Sequence, residues 1–256
     1  MPAAPTPDWD RWLLRWDRQQ VRYIPFREAR FTAMFDAIEG TLPKRFRALD
    51  LGCGPGSLSL RLLRRFPSAQ AVAIDHDPVL LELGRRALPS FEGRLTWVDT
   101  DLRSPNWHES LPRGRFDAAL STTALHWLTP RQLSGLYRGL HQRLRPWGVF
   151  LNGDHMNYNQ PPSRLDRLAD DVQQLARRRS GTAREGERWS TWWARLAREP
   201  ALKPLFRERR LRYPDADHHD HPVSLEYHQA ALRRAGFRES GVIWSEFGDR
   251  VLLAFA

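Results

Sequence analysis

Three glycines placed closely after a short apolar segment constrain the fold of this chain more than any other feature. Residues 47–51 are predicted to form a strand, and a helix is predicted to begin at about Ser57. Between them lie Gly52, Gly54 and Gly56. Glycine lets the backbone turn sharply and lets a ligand approach the main chain without meeting a Cβ atom. Because ligands of open α/β sheets bind outside the carboxyl ends of the strands, this loop predicts a binding site at the edge of a parallel sheet.

Beyond this loop, short apolar runs alternate with amphipathic stretches of helical length. This alternation predicts an α/β fold, in which helices cover both faces of a mostly parallel sheet. The last two strands flank Gly248-Asp249, which is a tight-turn signal for an antiparallel hairpin. The strands are predicted over 47–51, 71–74, 94–98, 116–121, 149–152, 242–247 and 250–255.

Three regions of different character divide the chain. Residues 1–45 are predicted to be a helical cover, rich in aromatic side chains and interrupted at Pro25. Residues 46–154 and 223–256 are predicted to form the α/β core. Residues 155–222 show polar helical segments without a convincing strand, which predicts a helical insertion or lid over the carboxyl edge of the sheet.

Acidic residues follow the second and third predicted strands at positions suited to an adenosine ligand. Asp75 lies nineteen residues after Gly56, close to the spacing at which a carboxylate meets ribose hydroxyls in nucleotide-binding folds. Asp101 can accept a hydrogen bond from an exocyclic amine while Leu102 packs against the ring. Three features at the ends of three successive strands therefore indicate one adenosine-containing ligand.

These motifs resemble a known family. The segment 49–56, Leu-Asp-Leu-Gly-Cys-Gly-Pro-Gly, resembles the first motif of class I S-adenosylmethionine-dependent methyltransferases. Asp75 and Asp101 match the ribose-binding and adenine-binding positions of that family. Residues 121–127 are similar to a segment of the small-molecule branch that includes trans-aconitate methyltransferases. The turn at 144–148 is similar to the family's Leu-Arg-Pro-Gly-Gly, with Trp147 in place of the first glycine.

The resemblance covers residues 46–153 and 224–256 and leaves the insertion unmatched. It implies a Rossmann-like class I fold with a seven-stranded, mostly parallel sheet in the order 3-2-1-4-5-7-6. It also implies S-adenosylmethionine as the cofactor and S-adenosylhomocysteine as the product. The candidate cofactor-binding residues are Asp50, Gly52, Gly54, Gly56, Asp75, His76, Asp101, Leu102 and Ser121.

The residues that would handle the acceptor are less clearly marked. His126 follows the fourth strand, where a neutral imidazole can take a proton from an acceptor at neutral pH. A structural histidine that bonds a loop backbone fits the same position equally well. Tyr23 in the N-terminal helices is a candidate for contact with the substrate because its ring is apolar and its tip polar. His155 and His219 are further candidates for a substrate or lid contact.

The segment 217–221, Asp-His-His-Asp-His, contains residue types that bind transition metals. Successive residues of one loop cannot all face one metal, and no second cluster supplies further ligands. The sequence therefore predicts no metal site, and it leaves open whether His218, His219 and His221 form a polar loop or a lid that contacts the substrate.

The composition limits the cellular setting and the partners. The formal net charge of +10 suggests nucleic acid, but of the 40 basic residues only Lys44 and Lys203 are lysines, which favours a codon bias over a phosphate-binding surface. Cys53 is the single cysteine, so it has no disulfide partner within the chain. Neither a signal peptide nor a membrane span is recognisable, so a cytoplasmic protein without a membrane partner is expected.

The favoured function is methylation of a small molecule, a metabolite or natural-product intermediate, at an oxygen atom. A dehydrogenase fits less well, because its fingerprint needs Gly-x-Gly-x-x-Gly whereas this loop is compressed. The alternatives that remain are methylation at nitrogen or carbon, an RNA-modifying methyltransferase, and a cofactor-binding protein without catalytic activity.

Overall fold

A computed structural model describes residues 7–159, 163–179, 186–214, 221 and 223–256. In this part of the chain, a seven-stranded mixed sheet has the strand order β3-β2-β1-β4-β5-β7-β6. The strands are β1 Arg47–Leu51, β2 Gln70–Asp75, β3 Leu95–Asp99, β4 Phe116–Thr122, β5 Leu144–His155, β6 Glu239–Glu246 and β7 Asp249–Phe255. The helices are α1 Trp9–Tyr23, α2 Arg27–Thr41, α3 Ser57–Arg65, α4 Pro78–Ala87, α5 Pro130–Arg143, α6 Arg164–Arg179, α7 Trp189–Leu196, α8 Lys203–Arg212 and α9 Leu225–Ala235.

The predicted α/β fold and its strand order are confirmed. Strands β1 to β5 are parallel, whereas β7 pairs antiparallel with both β5 and β6. Successive side chains of a strand point to opposite faces, so the central strands are apolar on both sides. In β5, Phe150 packs into the core beneath α5 and α9, and Leu151 packs into the core beneath α2 and α3. The carboxyl ends of β1 to β5 consequently meet at one edge of the sheet.

Several strand boundaries differ from the prediction, and those of β5 and of the final turn have a clear physical reason. Strand β5 begins at Leu144, directly after α5, although a turn was expected until residue 148. Trp147 takes a positive φ of 64° and donates its backbone N–H to Ala256 O, so the chain bulges within the strand and pairing continues. The final turn is Phe247-Gly248, not Gly248-Asp249, because Asp249 already pairs with Glu246 across the hairpin.

Tryptophan side chains join α1 to α7. Trp12 and Trp16 of α1 pack against Trp192 of α7, with ring centroids 6.1 and 5.0 Å apart. Leu80 and Leu83 of α4 belong to the same apolar cluster. Aromatic side chains remove a large apolar area from water, so this cluster fixes α1 and α7 on α4, beside the carboxyl edge of the sheet. None of the helices in the described residues is long and apolar enough to cross a bilayer.

Candidate active site

A cavity of about 810 Å³ opens at the carboxyl ends of β1 to β4. One part is lined by polar residues from the loops after β1, β2 and β3, and the other by apolar and aromatic residues from α1, α7 and the loop after β4. The polar part is called the adenosine end here and the apolar part the acceptor end. Its lining includes Gly52, Gly54, Asp75, His76, Asp101 and Leu102 at the adenosine end, and Tyr23, Ile24, Thr123, Leu125, His126, Trp127, Leu128 and Trp189 at the acceptor end.

The glycine loop needs its glycines for steric reasons. Gly52, Gly54 and Gly56 have φ values of +70°, +54° and +86°, which side chains rarely tolerate. A Cβ atom on Gly52 would lie 2.5 Å from the Cβ atom of Ala124 in the loop after β4. A Cβ atom on Gly56 would lie 2.7 Å from the ring of Trp97. The loop therefore lies close to the neighbouring strands. Its main chain forms one surface of the cavity, where a cofactor would bind.

Asp75, the last residue of β2, is the polar centre of the adenosine end. Its carboxylate accepts backbone hydrogen bonds from Gly54 at 2.7 Å, His76 at 2.7 Å and Asp77 at 2.9 Å. Burial raises the pKa of Asp75 to about 6, although these hydrogen bonds act in the opposite direction. The carboxylate is thus held rigidly, and its remaining lone pairs can accept hydrogen bonds from a ribose diol.

Asp101 lines the same cavity from the start of the loop that follows β3. Burial would raise the pKa of Asp101, but hydrogen bonds from Arg103 outweigh it and keep this pKa below the usual value. The Arg103 guanidinium contacts the carboxylate at 2.9 Å and also lies over the ring of Tyr213. With Leu102 on the cavity wall, this arrangement fits the edge and face of an adenine ring.

Two of the predicted cofactor-binding residues lie behind the cavity wall. Asp50 is buried and accepts hydrogen bonds from the backbone N–H and the hydroxyl of Ser59, at 3.0 and 2.7 Å. Burial raises the pKa of Asp50 to about 7. Ser121 is also buried and donates its hydroxyl to Leu51 O at 2.8 Å. The hydrogen bonds of Asp50 and Ser121 connect β1 to its neighbouring elements and support the glycine loop. Asp50, Ser121 and Gly56 do not line the cavity.

At the acceptor end, His126 forms a pair with a carboxylate that the sequence did not reveal. His126 Nδ1 lies 2.8 Å from Asp154 Oδ1, and the His126 backbone N–H donates to the other carboxylate oxygen at 3.3 Å. Asp154 belongs to β5 and is buried. Burial would raise its pKa, but the charge and hydrogen bond of His126, together with Arg30, lower the pKa of Asp154 to about 2. Asp154 therefore stays ionised at neutral pH and orients the imidazole.

A second buried pair fixes the loop that carries His126. The Arg30 guanidinium forms a hydrogen-bonded ion pair with Asp249, and both side chains are buried. Arg30 also donates to the Thr123 hydroxyl at 2.8 Å and to Gly153 O at 2.9 Å. One guanidinium thus connects α2 with the ends of β4, β5 and β7. The sequence offered no local signal for this connection.

The other predicted substrate residues are separated in the structure. Tyr23 lines the acceptor end, and its hydroxyl accepts the Trp189 backbone N–H at 3.0 Å. His155 lines a different, small cavity beneath α6, against Gly248. His219 and the rest of 217–220 lie outside the described residues, whereas the His221 backbone N–H donates to His126 O at 2.7 Å. The described residues contain no group of three or more potential ligands that could hold a metal ion.

Known proteins resemble this chain in sequence. Residues 48–148 match the family model of a methyltransferase domain. The chain is 31% identical over 191 residues to a trans-aconitate 2-methyltransferase of Azoarcus sp., an alignment that covers 74% of this chain and 63% of the relative. It is 31% identical over 189 residues to a trans-aconitate 2-methyltransferase of Streptomyces coelicolor, covering 73% and 58%. The chain thus spans about three-fifths of the length of these curated relatives.

Solved structures share the fold. Human N-acetylserotonin methyltransferase in complex with S-adenosylmethionine superposes with a TM-score of 0.53 at 16% identity, covering 94% of this chain and 56% of that one. The strand order, the glycine loop and the match of residues 48–148 to a methyltransferase domain agree with the fold of class I S-adenosylmethionine-dependent methyltransferases. The resemblance of this chain to the trans-aconitate methyltransferase branch is confirmed by the two curated relatives. S-adenosylmethionine is the cofactor that this resemblance implies, and the carboxylates of the adenosine end fit its nucleoside.

Proposed function

We propose that the protein transfers the methyl group of S-adenosylmethionine to an oxygen atom of a small molecule, with His126 as the general base. The observation that carries this proposal is the pair of His126 and buried Asp154 at the acceptor end of the cofactor cavity. The relatives are named for trans-aconitate, whose carboxylate oxygens would need no base, so a role of His126 as a base requires a hydroxyl acceptor, which would lie in the cavity beside it.

The geometry of the pair supports a role in proton transfer. Because Asp154 accepts a hydrogen bond from Nδ1, the neutral imidazole carries its proton there, and Nε2 becomes the nitrogen that can accept a proton. The ionised carboxylate also stabilises the imidazolium that forms. The cofactor supplies a methyl group activated by a sulfonium charge, so the protein's tasks are alignment and removal of the acceptor proton.

The two ends of the cavity support methyl transfer to a bound acceptor. Asp75 and Asp101 would hold the nucleoside of the cofactor at one end. Tyr23, Trp127 and the other apolar groups of the acceptor end would contact an acceptor at the other end. An acceptor held there could be aligned with the methyl group.

The proposal is tested by replacing each member of the pair. Turnover is measured with a radiolabelled methyl donor and a panel of hydroxylated and carboxylated small molecules. We expect His126→Gln to lower kcat for hydroxyl acceptors by about 10²-fold or more, the usual contribution of a general base. Asp154→Asn should also lower kcat, because an amide no longer fixes the tautomer of His126. Partial rescue of His126→Ala by added imidazole would identify the lost function as proton transfer.

A matched control comes from a histidine remote from the cavity. His141 of α5 packs against Gly236, so His141→Gln should keep the activity of the unmodified protein. Cofactor affinity, measured by calorimetry, should change by less than about two-fold in His126→Gln, because Asp75 and Asp101 hold the nucleoside. Undiminished turnover in His126→Gln would contradict the proposed role of this residue.

A further inference from the structure

The last turn of α8, in the helical insertion, reaches the adenosine end of the cavity. Arg209 of this helix and Tyr213, the residue that follows it, belong to the lining. Phe206, one turn earlier, packs against the apolar cluster that contains Leu80 of α4. Apolar packing therefore holds α8 beside α4, and residues 209–213, called the α8 end here, contribute to the wall of the cofactor cavity.

Two arginines fix the α8 end to the ends of β2 and β3. Arg209 Nε lies 2.5 Å from Asp77 Oδ2. The Arg212 guanidinium binds both carboxylate oxygens of Asp99, at 2.7 and 2.8 Å, and donates to His76 O at 2.9 Å. A guanidinium that holds a carboxylate by two parallel hydrogen bonds has a defined orientation. These contacts therefore set the position of the α8 end relative to the core of the domain.

The carboxylates that bind the α8 end are close in sequence to those that we assign to the nucleoside. Asp77 follows Asp75 by two positions. Asp99 precedes Asp101 by two positions, and it is the partner of Asp75 in the pairing of β2 with β3. A nucleoside held by Asp75 and Asp101 would consequently lie beside the α8 end.

The ring of Tyr213 lies at this edge of the cavity. Its centroid is 5.8 Å from the centroid of the His76 ring. The guanidinium carbons of Arg103 and Arg209 lie 5.6 and 5.3 Å from the Tyr213 ring centroid. Burial and the nearby charge of Asp75 raise the pKa of Tyr213, so its phenol is neutral at physiological pH. A neutral aromatic ring on the wall of a nucleoside site offers a packing surface for a base.

From the lining and the two ion pairs, we infer that Tyr213 packs against the adenine of the cofactor and that Arg209 and Arg212 position it there. The insertion would thus supply a residue of the cofactor site, in addition to the carboxylates that the core supplies. This inference rests on S-adenosylmethionine as the cofactor of the proposed function, but it requires neither His126 nor a particular acceptor. The ring has a binding role, and the two arginines act only through its position.

The role of the ring is tested by equilibrium binding to the full chain. Calorimetry gives the Kd of S-adenosylhomocysteine and of adenosine for the unmodified protein, Tyr213→Ala and Tyr213→Phe. We expect Tyr213→Ala to raise both Kd values at least about three-fold, because packing of a base on an aromatic ring is lost. Tyr213→Phe keeps the ring, so its Kd values should stay within about two-fold. A smaller change in Tyr213→Ala, or an equal loss in Tyr213→Phe, would overturn the inference.

A double-mutant cycle tests the positioning role of Arg212. Arg212→Gln removes the ion pair with Asp99 and should raise the Kd of S-adenosylhomocysteine about two- to five-fold, the range of a partly exposed pair. In Tyr213→Ala the same change should have no further effect, because no ring remains to be positioned. The control is Arg210→Gln, which removes an exposed charge from the same helix and should leave the Kd unchanged. Additive effects of Arg212→Gln and Tyr213→Ala, or an equal loss in Arg210→Gln, would contradict the positioning role.

The outcomes for this inference and for the proposed function are distinguishable. If the unmodified protein does not bind S-adenosylhomocysteine, both are overturned. If it binds and Tyr213→Ala binds equally well, the inference fails and the proposed methyl transfer stands. If Tyr213→Ala loses affinity while His126→Gln keeps full turnover, the role of Tyr213 stands and that of His126 fails.

Discussion

Cofactor affinity should depend on pH through Asp75. Burial raises the pKa of this carboxyl to about 6, and the ionised form is the one that can accept hydrogen bonds from both ribose hydroxyls. With a pKa of about 6, roughly ten-elevenths of the free protein has ionised Asp75 at pH 7 and roughly one-eleventh at pH 5. If the ionised form binds, the Kd for S-adenosylhomocysteine should rise about ten-fold between these two values.

The assay is calorimetric titration of the cofactor product between pH 5 and 8. Asp75→Asn is the control, because an amide keeps the shape but does not titrate: its Kd should be higher at pH 8 and nearly flat over the range. Acid unfolding driven by Asp75 would not explain the weaker binding of S-adenosylhomocysteine at low pH. A pKa raised from 3.8 in the folded state favours the protonated form, so this group's contribution to folding is lost as pH rises through about 6, not as it falls. A flat profile for the unmodified protein, or the same slope in Asp75→Asn, would refute the reasoning.

Two further predictions concern stability and are measured by urea unfolding. Asp249→Asn leaves the buried Arg30 without its counter-charge and should cost about 3–5 kcal/mol of unfolding free energy, so a loss below about 1 kcal/mol would show that the pair is not maintained. Gly84→Ala would bring a Cβ atom to 2.3 Å from the ring of Trp97 and should destabilise by about 1–3 kcal/mol, whereas its control, Gly40→Ala in the open on α2, should be neutral or stabilising.

Much of the fold could be predicted because its signals are local. Alternating apolar runs and helical stretches predicted every strand of the sheet, and the glycine loop predicted a cavity at the carboxyl edge of the sheet. The observed boundaries of the strands differ from the predicted ones where pairing with a distant part of the chain extends a strand. Strand β5 continues through Trp147 because the bulge is held by Ala256 at the far end of the chain, which no local pattern indicates.

The candidate catalytic pair could not be predicted in full. His126 was visible as a polar residue after a strand, but its partner Asp154 follows 28 residues later and comes near only because β4 and β5 are neighbours in the sheet. Asp50 shows the opposite case. Its place beside the glycines suggested contact with the cofactor, but in the structure its buried carboxylate accepts a hydrogen bond from Ser59. Side-chain direction depends on what covers a residue, and a sequence pattern does not contain that information.

The sequence alone determined the glycine loop, the carboxylates that follow the second and third strands, and the period of the apolar residues. It could do so because backbone conformation and strand alternation depend on neighbouring residues. The tertiary structure decided which charged side chains meet near the acceptor end. Arg30 and Asp249 are separated by 219 positions, yet they meet beneath the loop that carries His126. Burial then strengthens their attraction, because charges interact most strongly where water is excluded.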